Sequence, residues 1–322
     1  MIFKSTFSIF LLIIASIVIS FGGLIMRNIS HADAWQIIFF RSLSFVIVMS
    51  IILCQQYKQS TFRKIQNIGY VGIAGGFFLM LAHIFYVHSF ANTSIGNTLF
   101  TLSSIPFITA ILAFIFLKEK IKLRKIMIML FGLFGIIIMI YDGLETDGLY
   151  GNIMALFCAT SFSFYTLIMR KYRKTDMIPT LLISGILLCL VTFIINFNDL
   201  IIPIRDILLC FLWGGILSAF VNIIFIYATR YLSASEVTFF MLLEFSLGPF
   251  WVWIFLNESI SKNTFLGGII VMLSVGVYSF IEVYNSKLKI KIVKFLQNAK
   301  NKNIFKKITL NSSNSNENEG GE

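Results

Sequence analysis

Residues 65–117 form a run of 53 residues without one Asp, Glu, Lys or Arg. Few folds can absorb such a run. A helix crosses the hydrocarbon core of a bilayer with roughly 20 apolar residues, so this stretch holds two crossings, broken around Asn92 by the polar segment Ser89–Gly96. Further uncharged runs occupy 5–26, 148–169, 177–198, 207–229 and 263–281. Two more spans carry one deep charge each, 33–54 with Arg41 and 235–256 with Glu244. The run 126–141 is short but crosses if Arg124 and Lys125 snorkel. Charged residues make up only 13% of the chain, against about 25% in soluble domains. The expected fold class is therefore an all-α membrane protein with ten transmembrane helices, at 6–26, 33–54, 67–88, 94–117, 124–141, 148–169, 177–198, 206–229, 235–256 and 264–283. Met1–Ser20 has the apolar stretch of a secretory signal, but the uncharged run continues to Met26. A signal core spans only about 7–15 residues, so the segment reads as a retained first helix.

Lysine and arginine set the orientation. With the N-terminus in the cytoplasm, twenty-two of the 26 basic residues fall in inner loops or the tail, and only Arg27, Arg205 and Lys262 fall outside. Inner loops carry such an excess in membrane proteins generally. The loop 142–147, with Asp142, Glu145 and Asp147 and no base, suits the outer face. Both termini are expected in the cytoplasm of a multi-pass plasma (inner) membrane protein.

The hexapeptide Phe-Leu-Lys-Glu-Lys-Ile at 116–121 returns as Phe-Leu-Asn-Glu-Ser-Ile at 255–260, an offset of 139 residues. The same offset lays Gly75-Gly76 on Gly214-Gly215, His83 on Asn222 and Ser94 on Ser233. Five helices separate each feature from its copy, and five is odd, so the two halves have opposite orientations in the membrane. The expected organisation is a first five-helix repeat over 1–141, an inverted second repeat over 142–284, and a basic then disordered tail over 285–322. Inverted repeats of this kind are typical of secondary transporters, whose substrate site lies near the bilayer midplane between the halves.

Charges in hydrocarbon cost about 2.5–3.5 kcal/mol each on insertion scales and persist where they are paired or face a cavity. Arg41 lies about 12 Å below the start of its helix and Glu244 about 13–14 Å above the start of its own, by the rise of 1.5 Å per residue. Both therefore sit near the midplane, either pairing with each other or bracketing a zwitterionic substrate. His83 and Tyr86 share a helix face at i, i+3. Asn222 is the repeat copy of His83, and Trp251 continues the stripe Glu236, Phe240, Glu244, Gly248. The candidate substrate-binding set is Arg41, His83, Tyr86, Asn222, Glu244 and Trp251. Gating or hinge roles fall to Pro106 and Pro249, which lie inside homologous spans, and to Glu119 and Glu258 at opposite membrane faces.

Several chemistries are absent. Cys54, Cys158, Cys189 and Cys210 show no CxxC spacing, and His83 and His88 lie five apart, so neither disulfide nor metal spacing is present. No cofactor is implied. The chain carries no Walker motif and no acid pair or Ser-His-Asp cluster in the membrane, which excludes ATP-driven pumping and intramembrane hydrolysis; it is not expected to be an enzyme. Eight lysines between Lys287 and Lys307, interleaved with apolar residues, suit a segment lying on the anionic inner leaflet. The net charge of +11 thus reflects topology, not nucleic-acid binding. The expected partners are a small-molecule substrate and the bilayer, and a homodimer is a compatible assembly.

The stretch Ala91–Gly135, with Ser104-Ile-Pro-Phe, Phe-Leu-Lys-Glu at 116–119 and Gly132-x-x-Gly135, resembles the helix 4–5 signature of EamA-type proteins of the drug/metabolite transporter superfamily. Leu242-Leu-Glu-Phe-Ser-Leu-Gly-Pro-Phe-Trp251, running on to Phe-Leu-Asn-Glu258, resembles their helix 9 signature. The resemblance covers about residues 6–283. It implies two five-helix bundles around a central cavity and secondary export, uptake or exchange of amino acids, other small metabolites or drugs. Two other classes stay open: a passive channel, and a membrane subunit that transports nothing itself.

Overall fold

The computed structural model describes residues 2–93, 98, 101–119, 122–140, 148–197, 200–256, 262, 263, 265–281 and 284. Ser94, the loop 142–147, Glu258 and the tail lie outside these residues. The described chain contains helices and no strand. The reason is the solvent: an uncharged run in hydrocarbon must satisfy its own backbone N–H and C=O groups, and a helix does so within one segment. In order the helices are α1 (Ile2–Ile19), α2 (Gly22–Asn28), α3 (Ala34–Tyr57), α4 (Thr61–Asn92), α5 (Ile105–Leu117), α6 (Leu123–Ile140), α7 (Leu149–Lys171), α8 (Pro179–Ile195), α9 (Ile204–Thr229), α10 (Ala234–Phe239), α11 (Leu242–Leu256) and α12 (Phe265–Ile281). Five stretches among the described residues are long and apolar enough to cross a membrane: Lys4–Asn28, Ala34–Asn92, Leu149–Lys171, Ile204–Thr229 and Ala234–Phe255. The 59-residue stretch contains α3 and α4.

Local signals place the helix ends. Asp33 caps α3, accepting the Gln36 backbone N–H at 2.7 Å while the Gln36 side chain accepts the Asp33 N–H at 2.9 Å. This is a reciprocal capping box. Pro179 opens α8 and Pro106 stands in the first turn of α5, where a missing N–H costs nothing. Gly69, at φ +56°, kinks α4 and sets Thr61–Ile68 at an angle to the rest. Large apolar side chains such as Phe114, Phe116, Ile194 and Phe280 point outward, as expected of a surface solvated by lipid.

The repeat is visible in the packing. α4 of the first half rests on α7 and α8 of the second, and α9 of the second rests reciprocally on α1 and α3 of the first. Likewise α5 packs on α7 and α11 on α1, while the pair α3–α8 is its own counterpart. This is the reciprocity of a two-fold interface, in which patch i meets j and j meets i. The first glycines of the two pairs face residues related by the same offset. A Cβ on Gly75 would meet Thr180 Cγ2 at 3.0 Å, and one on Gly214 would strike the Arg41 backbone, with Cα at 2.6 Å. Thr180 and Arg41 are themselves 139 residues apart.

Candidate functional site

A cavity of about 100 Å³ lies where the two halves meet. That is several times the ~10–15 Å³ one water needs. Its wall is written twice. Ile19 and Cys158, Ala82 and Val221, His83 and Asn222, Tyr86 and Phe225, Leu102 and Met241, and Ile105 and Glu244 all line it, each pair separated by 139 residues. The positions obey the repeat, but the chemistry does not. Glu244 has an isoleucine as its counterpart, and Arg41 has Thr180, which does not line the cavity.

Of the six residues in the candidate substrate-binding set, Arg41, His83, Tyr86, Asn222 and Glu244 converge on this cavity. Trp251 does not line it. Its indole N–H donates to Ser20 Oγ at 2.7 Å and its ring stacks on Phe21 at 4.4 Å, tying α11 to the break between α1 and α2. Arg41 and Glu244 are the only charged residues among the described lining residues. Glu244 lies within electrostatic reach of Arg41, Tyr86 and Cys158, and Tyr86 is its side-chain hydrogen-bond partner. Yet the ion pairs among the described residues join other partners, and none links Arg41 to Glu244. The Arg41 guanidinium lies instead over the Trp213 ring, with Cζ 3.6 Å from the centroid. Arg41 is 9% exposed, and its Nε has no hydrogen-bond partner.

Two helix breaks border the cavity, two residues out of step with the 139-residue offset. Before α5 the chain turns at Ser103–Ser104, where Thr101 O accepts both the Ser104 N–H at 3.1 Å and the Ser104 hydroxyl at 2.5 Å. Between α10 and α11 it turns at Phe240–Met241, where Ser16 Oγ of α1 donates to Phe240 O at 2.9 Å. Pro106 thus sits just after a break. The backbone at Pro249 is helical, and the break in its span falls eight residues earlier. The stripe from Glu236 to Trp251 is interrupted there: Phe240 is fully buried, and only Glu244 and its neighbours reach the cavity.

At one end of the molecule the ionic residues form a rim. Arg170 Nε donates to Glu119 Oε1 at 2.6 Å and its Nη1 to Thr229 O at 2.8 Å. Glu119 Oε2 accepts the Ala234 N–H, capping the start of α10. Lys125 pairs with Glu236, which also accepts the Ser233 N–H at 2.8 Å. Asp176 accepts from Arg230 at 3.1 Å and from the Tyr57 hydroxyl. The ends of α3, α5, α7 and α9 and the starts of α6 and α10 are thereby laced together.

Trp213 is the site residue that pattern reading missed. The α9 turns from Phe211 to Ser218 are π-helical, a wider winding frequent at functional sites. Ser218 Oγ donates to Trp213 O at 2.8 Å inside it. The available signal was the adjacent Gly214-Gly215 pair, already marked by the repeat.

Residues 6–141 and 149–280 each match the family model described as the EamA-like transporter family. No curated protein sequence matches the chain. Among solved structures, one titled only "Crystal structure of protein" is similar over 86% of this chain and 97% of its own, with a TM-score of 0.67 and 15% identity. At that identity the likeness concerns the fold.

Proposed function

The chain belongs to the EamA-like transporter family, whose members are transporters rather than enzymes, and from that premise we propose that it is a secondary, non-ATP transporter. It moves small zwitterionic metabolites, amino acids among them, by alternating access. Ten helices cross the plasma (inner) membrane as two inverted five-helix halves, with both termini in the cytoplasm. Arg41 receives the carboxylate of the solute and Glu244 its ammonium group, with His83, Tyr86 and Asn222 beside them. The observation that carries this reading is two opposite charges in one apolar-walled cavity that do not pair with each other. Glu244 has the Tyr86 hydroxyl as its side-chain hydrogen-bond partner and Arg41 has the Trp213 ring, so each charge is held by a neutral group and still lacks an opposite charge, which a zwitterionic ligand supplies.

The rim of Glu119, Arg170, Lys125, Glu236, Asp176 and Arg230 gathers residues assigned to inner loops, so it forms the cytoplasmic gate, closed in this conformation. Opening breaks those pairs while the helices flex at Ser103–Ser104 and Phe240–Met241, the discontinuities that carriers place beside their sites. The test is a thermal-shift and counterflow screen of the purified chain against amino acids, nucleobases and nucleotide-like metabolites. A saturable zwitterionic hit that Arg41→Gln and Glu244→Gln both abolish supports the reading. Non-saturating conductance points to a channel, and a hit indifferent to both substitutions overturns the assignment of the site.

A further inference from the structure

We propose that Trp213 is the positioning residue of this site: it holds the Arg41 guanidinium away from Glu244 and presents it as a fixed carboxylate receptor. The inference rests on the substrate reading given above and adds the element that keeps the receptor open. Two opposite charges facing one low-dielectric cavity attract strongly. Without a restraint they meet, and the site closes on itself.

The restraint is the indole. Arg41 Cζ stands 3.6 Å from its centroid, well within the roughly 6 Å over which a ring face attracts a cation. Covering the flat face of a guanidinium leaves its edge free, and the edge carries the N–H fork that matches a carboxylate. Arg41 Nε, buried and without a hydrogen-bond partner, belongs to that edge. The indole is itself locked. Trp213 is 2% exposed, Tyr86 meets it edge-on at 6.5 Å, and α2 approaches so closely that a Cβ on Gly22 would lie 2.5 Å from the indole Nε1. The wide π-helical winding sets Gly214 against the Arg41 backbone directly beside the stacked ring. Backbone and side chain of Arg41 are therefore gripped by consecutive residues.

The experiment uses the full-length purified chain with Trp213→Phe and Trp213→Met, and leucine and phenylalanine as probes. Phenylalanine keeps an aromatic face, whereas methionine fills space without one. Trp213→Met is expected to raise KM for probe exchange at least about tenfold, the loss of one desolvated cation–π contact, with the maximal rate unchanged. Trp213→Phe stays within about threefold of the unmodified chain by the same arithmetic. A second readout needs no ligand. The thermal-shift coupling between Arg41→Gln and Glu244→Gln is small in the parent, where the charges act on each other only across the cavity, and grows by about 2–4 °C in the Trp213→Met background, where the two charges meet. Equal coupling in both backgrounds, or equal damage from Phe and Met, overturns the proposal. Should neither probe bind the parent chain, the substrate reading fails while the coupling cycle still decides the role of Trp213. If Trp213→Met does not fold, Trp213→Leu takes its place in the cycle.

Discussion

The rim and the cavity use the same kinds of side chain to opposite ends. At the rim every carboxylate described here has its cation: Glu119 has Arg170, Glu236 has Lys125 and Asp176 has Arg230. In the cavity, Arg41 and Glu244 face the same space without touching. Rim charges complete one another and so act as clasps. Cavity charges are held by neutral groups, Glu244 by Tyr86 and Arg41 by Trp213, and in the proposed reading they act as receptors. An ionic residue in a membrane protein is thus informative less by its depth than by whether its complement is already supplied.

The sharpest way to break this contrast is to remove a receptor. Arg41→Gln and Glu244→Gln should each lower counterflow at least about tenfold, a loss of 1.4 kcal/mol or more in binding, while the protein still elutes as a folded species on size exclusion. Next in size is Gly214→Ala, whose new Cβ meets the Arg41 backbone. Overpacking of this sort costs about 1–3 kcal/mol, readable as a lowered Tm together with lost exchange. Gly276→Ala is its control: nothing lies within 4 Å of that Cβ, and the change should leave Tm level or raise it slightly. Opening a clasp should act on access instead of affinity. With Cys54, Cys189 and Cys210 replaced by serine, Arg170→Gln should speed maleimide labelling of the cavity-lining Cys158 about fivefold, the effect of roughly 1 kcal/mol on a two-state equilibrium. The smallest change is expected from His83→Asn, which writes the second half's residue into the first; exchange should stay within about threefold.

Much of this was legible in the chain. The uncharged runs dictated helices because hydrocarbon admits little else, and the 139-residue offset identified cavity pairs such as His83 and Asn222 before any coordinates. Arg41 and Glu244 stood out because buried charge is expensive. Other features depend on relations that periodicity does not carry. Arg41 lies over Trp213 and not on Glu244, beside π-helical turns of α9 that no residue pattern announces. Pro249 suggested a break that falls instead at Phe240–Met241, where Phe240 O accepts from Ser16 of a distant helix as well as from the Leu243 N–H. Trp251 shares a helical stripe with Glu244, yet its indole is claimed by Ser20 and Phe21.

The reciprocal packing of the halves bears on sidedness. A carrier made of two identical halves reaches its second state by trading their conformations, and its two end states have equal energy. Here the trade is unequal, because Glu244 has only Ile105 as its twin and Arg41 only Thr180. In the proposed carrier the two end states are therefore not related by symmetry. Half-saturation concentrations measured at the two faces are then expected to differ, although the equilibrium distribution stays that set by the gradients. A duplication that supplied a symmetrical frame has, through two unmatched residues, acquired a front and a back.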